Sequence, residues 1–368
     1  MMQKARSTGG GKRVVTALVG ALLLASLPQV AFGDTRFGVN RVNMAWLDAQ
    51  AREKIFNQMV ENGVVAVRLS MTRPIDKSID AVREAHEKGL AILLEVSLNN
   101  VDFYPKGTKP RSGRGRVWDM YKLSDIDPKL YEAQLAQMLQ KIDALGVPLV
   151  AVEPGNEINW APYNGDLAIL PREKMKTARS LEEMEERAQI EKGAQKYVEL
   201  LRVTRAQLAK TKLSAKAKVV SAGLSDIPFN DADRRGVDSI DPAVFTDLLK
   251  KYGLNDVADG YGIHIYPGSS GTLAARAKHI NKSLSFCGGA DGKPCWITEW
   301  GFANLSKSCP SDDGKRQQLV EKARERFARM MDTGQIAAAY YFDWDEGTYG
   351  VWRCGALTPS GRAATVTK

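Results

Sequence analysis

The chain has 368 residues, 44% of them apolar and 26% charged. Lys and Arg total 52 against 43 Asp and Glu, a formal net charge of +9. This is ordinary globular composition, and it excludes a disordered tail, a collagen-like fibre and a polytopic membrane protein.

Lys4, Arg6, Lys12 and Arg13 precede an uncharged run, 14–25, rich in Leu, Val and Ala. Pro28 breaks it, and the small residues of Ala31-Phe32-Gly33 follow. The pattern predicts a secretory signal peptide over 1–33, leaving a single mature domain over 34–368. The apolar run is short of the ~20 residues a membrane span needs, so no stable membrane insertion is expected after cleavage. Residues 1–33 hold four basic residues and no acidic one, so the remainder carries only +5. No nucleic-acid-binding motif accompanies that charge, and no nucleic-acid partner is expected.

Beyond the signal, short apolar runs alternate with charged, helix-patterned stretches. The runs are 37–40, 64–71, 91–97, 149–153, 218–222, 260–266, 295–299 and 336–342. Each contains Val or Ile, is apolar over most of its length, and is too short for a helix, as fully buried parallel strands are. Helices are predicted over 49–62, 77–88, 129–145, 181–208 and 315–333. Eight strand–helix units imply an α/β fold, a single (β/α)8 TIM barrel. A doubly wound open sheet is the alternative, but no Gly-rich phosphate turn follows an early strand. Gly9-Gly10-Gly11 falls within the predicted signal.

In such barrels the chemistry sits at the C-terminal ends of the strands. The first run ends with Asn40, and the second carries Arg68. The fourth leads into Gly155-Asn156-Glu157-Ile158-Asn159, and the sixth ends His264-Ile265-Tyr266-Pro267. The seventh ends Thr298-Glu299-Trp300-Gly301, and the eighth Phe342-Asp343-Trp344-Asp345. Glu157 and Glu299 would face each other across the barrel mouth. An acid and a nucleophile flanking one bond is the arrangement that glycoside hydrolysis uses. Trp160, Tyr163, Trp300, Trp344 and Tyr349 lie nearby and suit the apolar faces of sugar rings. Each residue also has a plainer reading: Arg68 could pair with a structural acid, and His264, Tyr266 and Trp344 could belong to the core. Glu95 and Asp343 read as groups supporting the site, whereas Glu153, which precedes Pro154, reads as structural.

These motifs resemble the clan A retaining glycoside hydrolases, which are built on (β/α)8 barrels. Gly155-Asn156-Glu157-Ile158 resembles the clan's strand-4 acid/base motif. Ile297-Thr298-Glu299-Trp300-Gly301 resembles its strand-7 nucleophile motif, and His264-x-Tyr266 the strand-6 pair of cellulase-like family 5 members. The resemblance implies that Glu157 is the general acid/base, its pKa raised by burial and by a nearby carboxylate. Glu299 would be the nucleophile, with Arg68 and Tyr266 as hydrogen-bond donors. Asn156 would hold the sugar 2-hydroxyl, and His264 would contact substrate or Glu157. Trp344 would be the platform under the sugar at the cleavage point, with Trp300 also near substrate. The third run ends without the His usual in family 5, and Asn-Glu-Ile replaces the commoner Asn-Glu-Pro. The family within the clan therefore stays open.

Cys287, Cys295, Cys309 and Cys354 are an even set in an exported chain and are disulfide candidates with three possible pairings. Cys287 and Cys295 flank a turn-rich stretch and could close a short loop, with Cys309 and Cys354 then joining two later loops. A zinc site is the weaker reading, since no Cys-x-x-Cys occurs and none of the three His stands beside these cysteines. Residues 106–116 hold five basic side chains and read first as a mobile solvated loop, or else as a clamp for an acidic polysaccharide. The whole predicts a secreted or periplasmic, monomeric enzyme that cleaves a β-linked poly- or oligosaccharide by double displacement, with no metal or other cofactor. The alternatives are a non-catalytic carbohydrate-binding barrel and a transglycosylase that remodels an exopolysaccharide.

Overall fold

The computed structural model describes residues 35–171, 178–226, 229–268, 271–289, 292–345 and 347–365. The predicted signal, 1–33, lies outside them. Nine strand segments form one parallel sheet: β1 (Phe37–Asn40), β2 (Ala66–Met71), β3 (Ala91–Val96), β4 (Ala151–Pro154), β5 (Lys218–Val219), β6 (Leu224–Ser225), β7 (Tyr261–Ile265), β8 (Cys295–Trp300) and β9 (Ile336–Tyr341). Their order is β5-β4-β3-β2-β1-β9-β8-β7-β6. The two ends of that order are halves of one run of chain. β5 pairs with β4, and β6 pairs with β7. Between the halves, Val220 bridges to Gly260 and Gly223 to Asn156. Residues 218–225 are thus the fifth staves of a closed eight-stranded barrel, and the open doubly wound sheet is excluded.

The helices are α1 (Ala49–Glu61), α2 (Ile75–Glu87), α3 (Pro128–Ala144), α4 (Arg187–Leu208), α5 (Phe229–Arg235), α6 (Pro242–Lys251), α7 (Leu254–Val257), α8 (Leu273–Ser283), α9 (Gly314–Asp332) and α10 (Pro359–Thr365). Side-chain oxygens of Asp48, Asp127, Asp241 and Thr272 accept the free N–H groups that open α1, α3, α6 and α8. The helix predicted from 181 starts only at Arg187. Residues Leu181–Glu183 form a separate 3-10 turn, held where Glu183 accepts the N–H groups of Arg179 and Ser180.

Strand alternation divides the apolar residues into two cores. Ala66, Leu93, Ala151, Val220, Trp296, Ala338 and Tyr340 fill the barrel interior. Their neighbours Val67, Leu94, Val152, Ile297 and Ala339 face the helix layer. Arg68, Glu95 and Glu153 continue the inward-facing series toward the C-terminal end, so the interior changes from apolar to charged as it nears the mouth. Among the described residues no helix is long and apolar enough to cross a membrane.

Both disulfides follow the pairing that closes the short loop. Cys287–Cys295 spans 8 residues with Cα atoms 5.3 Å apart, and Cys309–Cys354 spans 45 residues at 5.7 Å. The loop over 106–116 is largely exposed, Lys106, Lys109 and Arg114 included, but it is fastened at two points. Arg111 pairs in an antiparallel bridge with Met120, and the guanidiniums of Arg111 and Arg116 donate to backbone carbonyls of the facing loop.

The seam at 218–225 requires small residues. A Cβ at Gly262 would stand 2.2 Å from the carbonyl oxygen of Ser221 and 2.6 Å from the nitrogen of Gly223. Both are backbone atoms and cannot swing aside. Gly262→Ala is expected to cost about 2–3 kcal/mol of stability, read as a lower urea midpoint at unchanged slope.

Candidate active site

Arg68 stands at the centre of the mouth, wholly buried. Its Nε donates to Glu153 Oε2 at 2.6 Å. Nη1 donates to Asn40 Oδ1 at 3.0 Å and to Glu299 Oε1 at 2.8 Å, and Nη2 to Asn156 Oδ1 at 2.9 Å. Burial alone would lower the pKa of this guanidinium. The carboxylates of Glu153, Glu299 and Glu95 outweigh burial and hold it above its usual range. One cation thereby fixes side chains from β1, β4, the loop after β4, and β8.

Glu153 completes this support. Its Oε1 accepts from the Gly223 N–H at 2.7 Å and from Thr298 Oγ1 at 2.9 Å. Thr298 and Glu299 are consecutive, yet both reach the same cluster, which strict alternation forbids. The pairing register shifts at Ile263/His264 against β8 and at Ile297/Trp300 against β9. This irregularity turns both side chains inward, as bulges beside functional sites do.

Glu299 Oε2 accepts from the Tyr266 hydroxyl at 2.6 Å. Glu157 lies opposite, at the end of β4. Its φ is 47°, in the left-handed region uncommon for side chains other than Asn or Asp. Its N–H donates to the Gly223 carbonyl at 2.9 Å. His264 is wholly buried, with Nδ1 2.8 Å from Glu157 Oε1 and 3.4 Å from Glu299 Oε2. A ligand atom from each of Glu157, His264 and Glu299 lies within 4.8 Å of the others. Burial lowers the His264 pKa, so the ring is neutral. Its Nε2 has no hydrogen-bond partner and packs on Gly223, where a Cβ would stand 2.1 Å away. The single ring proton therefore belongs on Nδ1, between the two glutamates.

Trp160 Nε1 donates to the other Glu157 oxygen, Oε2, at 2.9 Å. Burial pushes the Glu157 carboxyl up to about 7, against the lowering effects of the Trp160 hydrogen bond and of Arg68. The carboxylate that adds to the rise is Asp226. Burial pushes Glu95, beneath the site, up to about 8.

Glu157, Glu299, Arg68, Asn156, His264 and Tyr266 therefore come together. Trp300 and Trp344 do not. The register shift in β8 sends Trp300 outward into the helix layer, where its ring meets Phe327 and Tyr341 edge-on at 5.1 and 5.0 Å. Trp344 is fully buried. Its N–H donates to the Asn40 carbonyl, and its ring stacks on Trp352 at 5.5 Å. The expectation that either tryptophan contacts substrate is corrected. Phe342, half-buried, takes the place at the mouth instead, edge-on to Tyr266 at 6.2 Å, with Tyr349 5.3 Å from Tyr266. In the sequence Phe342 is the last residue of the eighth run, two before the more conspicuous Trp344. Asn40, Glu153 and Thr298 were visible only as polar residues in apolar runs.

The Glu157, His264 and Glu299 cluster has the composition of a metal site, but its donors are already engaged. Glu299 gives one oxygen to a guanidinium and the other to a phenol, and a cation beside Arg68 would meet like charge. The chemistry these groups favour is proton transfer by a carboxyl that titrates near neutrality, opposite a carboxylate held by two donors.

No protein-family model and no curated protein matches the chain. Solved structures do. It is similar to ZgEngAGH5_4 at TM-score 0.55 and 14% identity, over 91% of this chain and 96% of that one. It is similar to a fungal β-1,4-galactanase at TM-score 0.53 and 13% identity, over 89% and 93%. The β-glycosidase BGL167 aligns at TM-score 0.52 and 13% identity, over 89% and 94%. The likeness is one of fold, and glycosidases are among the proteins that share it.

Two outcomes follow from the titrating groups. The Trp160 N–H favours the charged form of Glu157, so Trp160→Phe raises its pKa. If a protonated Glu157 is needed for turnover, the alkaline limb of the kcat/KM profile, near pH 7 in the wild type, moves to higher pH in the variant. Glu95 has a folded value of about 8 against an ordinary value of 4.5. Because the folded value is raised, its contribution to stability is complete below about 4.5 and is lost as pH rises through about 8. Glu95→Gln abolishes that loss, so denaturant titrations should show the variant gaining on the wild type between pH 5 and pH 9.

Proposed function

We propose that the protein is an exported retaining glycoside hydrolase that cleaves a β-linked poly- or oligosaccharide. The observation that carries the reading is the pair Glu157 and Glu299, buried at opposite strand ends with carboxylate oxygens within 4.8 Å of each other. A retaining pair stands about 5–5.5 Å apart, whereas an inverting pair leaves roughly 6.5–9.5 Å for a water. The two disulfides support an oxidising compartment outside the cytosol.

In this reading Glu157, protonated near neutrality, donates its proton to the glycosidic oxygen as that bond breaks. Glu299 attacks the anomeric carbon and forms a glycosyl ester. Arg68 and Tyr266 keep its two oxygens aimed, and Asn156, with Oδ1 fixed on Arg68, offers Nδ2 to the sugar. The leaving sugar departs. Glu157, now a carboxylate, takes a proton from water, which displaces Glu299 and restores the starting configuration. Neutral His264 holds Glu157 in place and follows its change of charge without changing its own.

The test is activity on β-linked polysaccharides, with the anomeric form of the first product followed by NMR. Glu157→Gln is expected to lose about 10²–10⁴-fold in kcat, recovering on aryl glycosides whose leaving group needs no proton. Glu299→Gln should lose at least as much and recover on none. An inverted first product, or unaltered glycan binding with no turnover in the wild type, overturns the reading.

A further inference from the structure

Three aromatic rings lead away from Glu157. Trp160 donates to Glu157 Oε2, on the side turned away from His264. The ring of Tyr163 lies 6.2 Å from that of Trp160, and the ring of Trp118 lies 5.5 Å from Tyr163. Exposure rises along the line, from a buried indole to one 63% exposed. An exposed ring continuing a row of aromatic rings out of a polar cleft is where a further sugar would stack.

The same wall carries positive charge with no counter-ion among the described residues. The Arg235 guanidinium stands 5.5 Å over the Trp160 ring. Arg111 donates only to the carbonyls of Ala161 and Leu167, and Arg116 only to those of Leu170 and Arg235. Among the described residues no carboxylate oxygen lies within 4.0 Å of these three guanidiniums. The neighbouring acids are engaged elsewhere: Asp119 by the Gly113 N–H, Asp166 by Ser124, and Asp238 by the Ala178 N–H. Burial pulls the Arg111 pKa down to about 10, the mark of a partly buried cation with too little negative charge beside it. Arg111 and Arg116 are partly buried and Arg235 is exposed, so an anion arriving from solvent would meet this positive charge without displacing a carboxylate partner among the described residues.

We propose that Trp160, Tyr163, Trp118 and Arg235 form the leaving-group side of the cleft and bind an anionic glycan, one whose sugars carry carboxylate, sulfate or phosphate groups. The inference rests on the glycosidase reading above. The acid protonates the departing oxygen, so residues beyond Glu157 from Glu299 face the departing sugars.

The test uses the full mature chain carrying Glu299→Gln, which binds without cutting. The probes are β-linked glucan, galactan and xylan, each neutral, carboxylated, sulfated or phosphorylated, in 50 mM and 300 mM NaCl. At least one charged form is expected to bind ten times more tightly than its neutral parent, with the preference shrinking at the higher salt. The derivative preferred identifies which anion the wall takes. Adding Arg235→Gln removes most of the preference, and adding Trp118→Ala weakens charged and neutral forms alike. Both side chains are solvent-facing, and a circular dichroism melt verifies that each variant is folded. Equal affinity for neutral and charged forms overturns the proposal, as does a preference that survives Arg235→Gln. If the wild type cuts a neutral glycan with retention while no preference for charge exists, the anionic tract falls and the glycosidase reading stands. If nothing is bound or cut, both fall.

Discussion

A guanidinium taken wholly out of water is tolerated only where acceptors surround it. Arg68 meets that condition with Asn40, Glu153, Asn156 and Glu299, drawn from opposite sides of the barrel. The requirement runs in both directions. The carboxylates are held in place because they neutralise Arg68, and Arg68 stays charged because they surround it. Remove the arginine and several buried acids lose their counter-charge at once. Much of the geometry at the mouth follows from this one residue. Glu299 is aimed by it, Asn156 is oriented by it, and Glu153 links it to the seam where the barrel closes.

The barrel was legible because fully buried parallel strands look alike in sequence. The eight runs found from apolarity alone match the strands closely. The fifth, however, continues past its predicted end to Ser225, since its pairing passes from one neighbour to the other at Gly223. The glutamates and their partners were legible because polar residues at the ends of apolar strands have few structural reasons to be there. The disulfide pairing could only be ranked, because spacing alone leaves three possibilities.

The tryptophans were misplaced for a definite reason. Large aromatic residues beside a catalytic motif suggest a sugar platform, but direction depends on strand register. A shift within β8 turns Thr298 and Glu299 both inward and sends Trp300 out to the helices. Nothing in the motif Thr-Glu-Trp-Gly announces that shift. Trp344 is lost to view for a different reason: the chain folds back after β9 and Trp352 covers it. In the basic loop Lys106, Lys109 and Arg114 are exposed, as their charge suggests, whereas Arg111 and Arg116 hydrogen-bond the facing wall, which composition alone does not show.

The groups of the candidate site are divided along the chain. Arg68, Glu153 and Glu157 belong to the first half of the barrel, and His264, Tyr266 and Glu299 to the second. Arg68 and Glu299 are separated by 231 residues, and Glu157 and His264 by 107. The strand that joins the halves also supplies the Gly223 N–H that holds Glu153. Neither half alone contains the whole cluster, and a sheet that has failed to close leaves Glu153 without that donor. If the chain were cut between the halves, return of the buried Arg68–Glu299 pair would require their reassociation, independently of how much helix each fragment had regained.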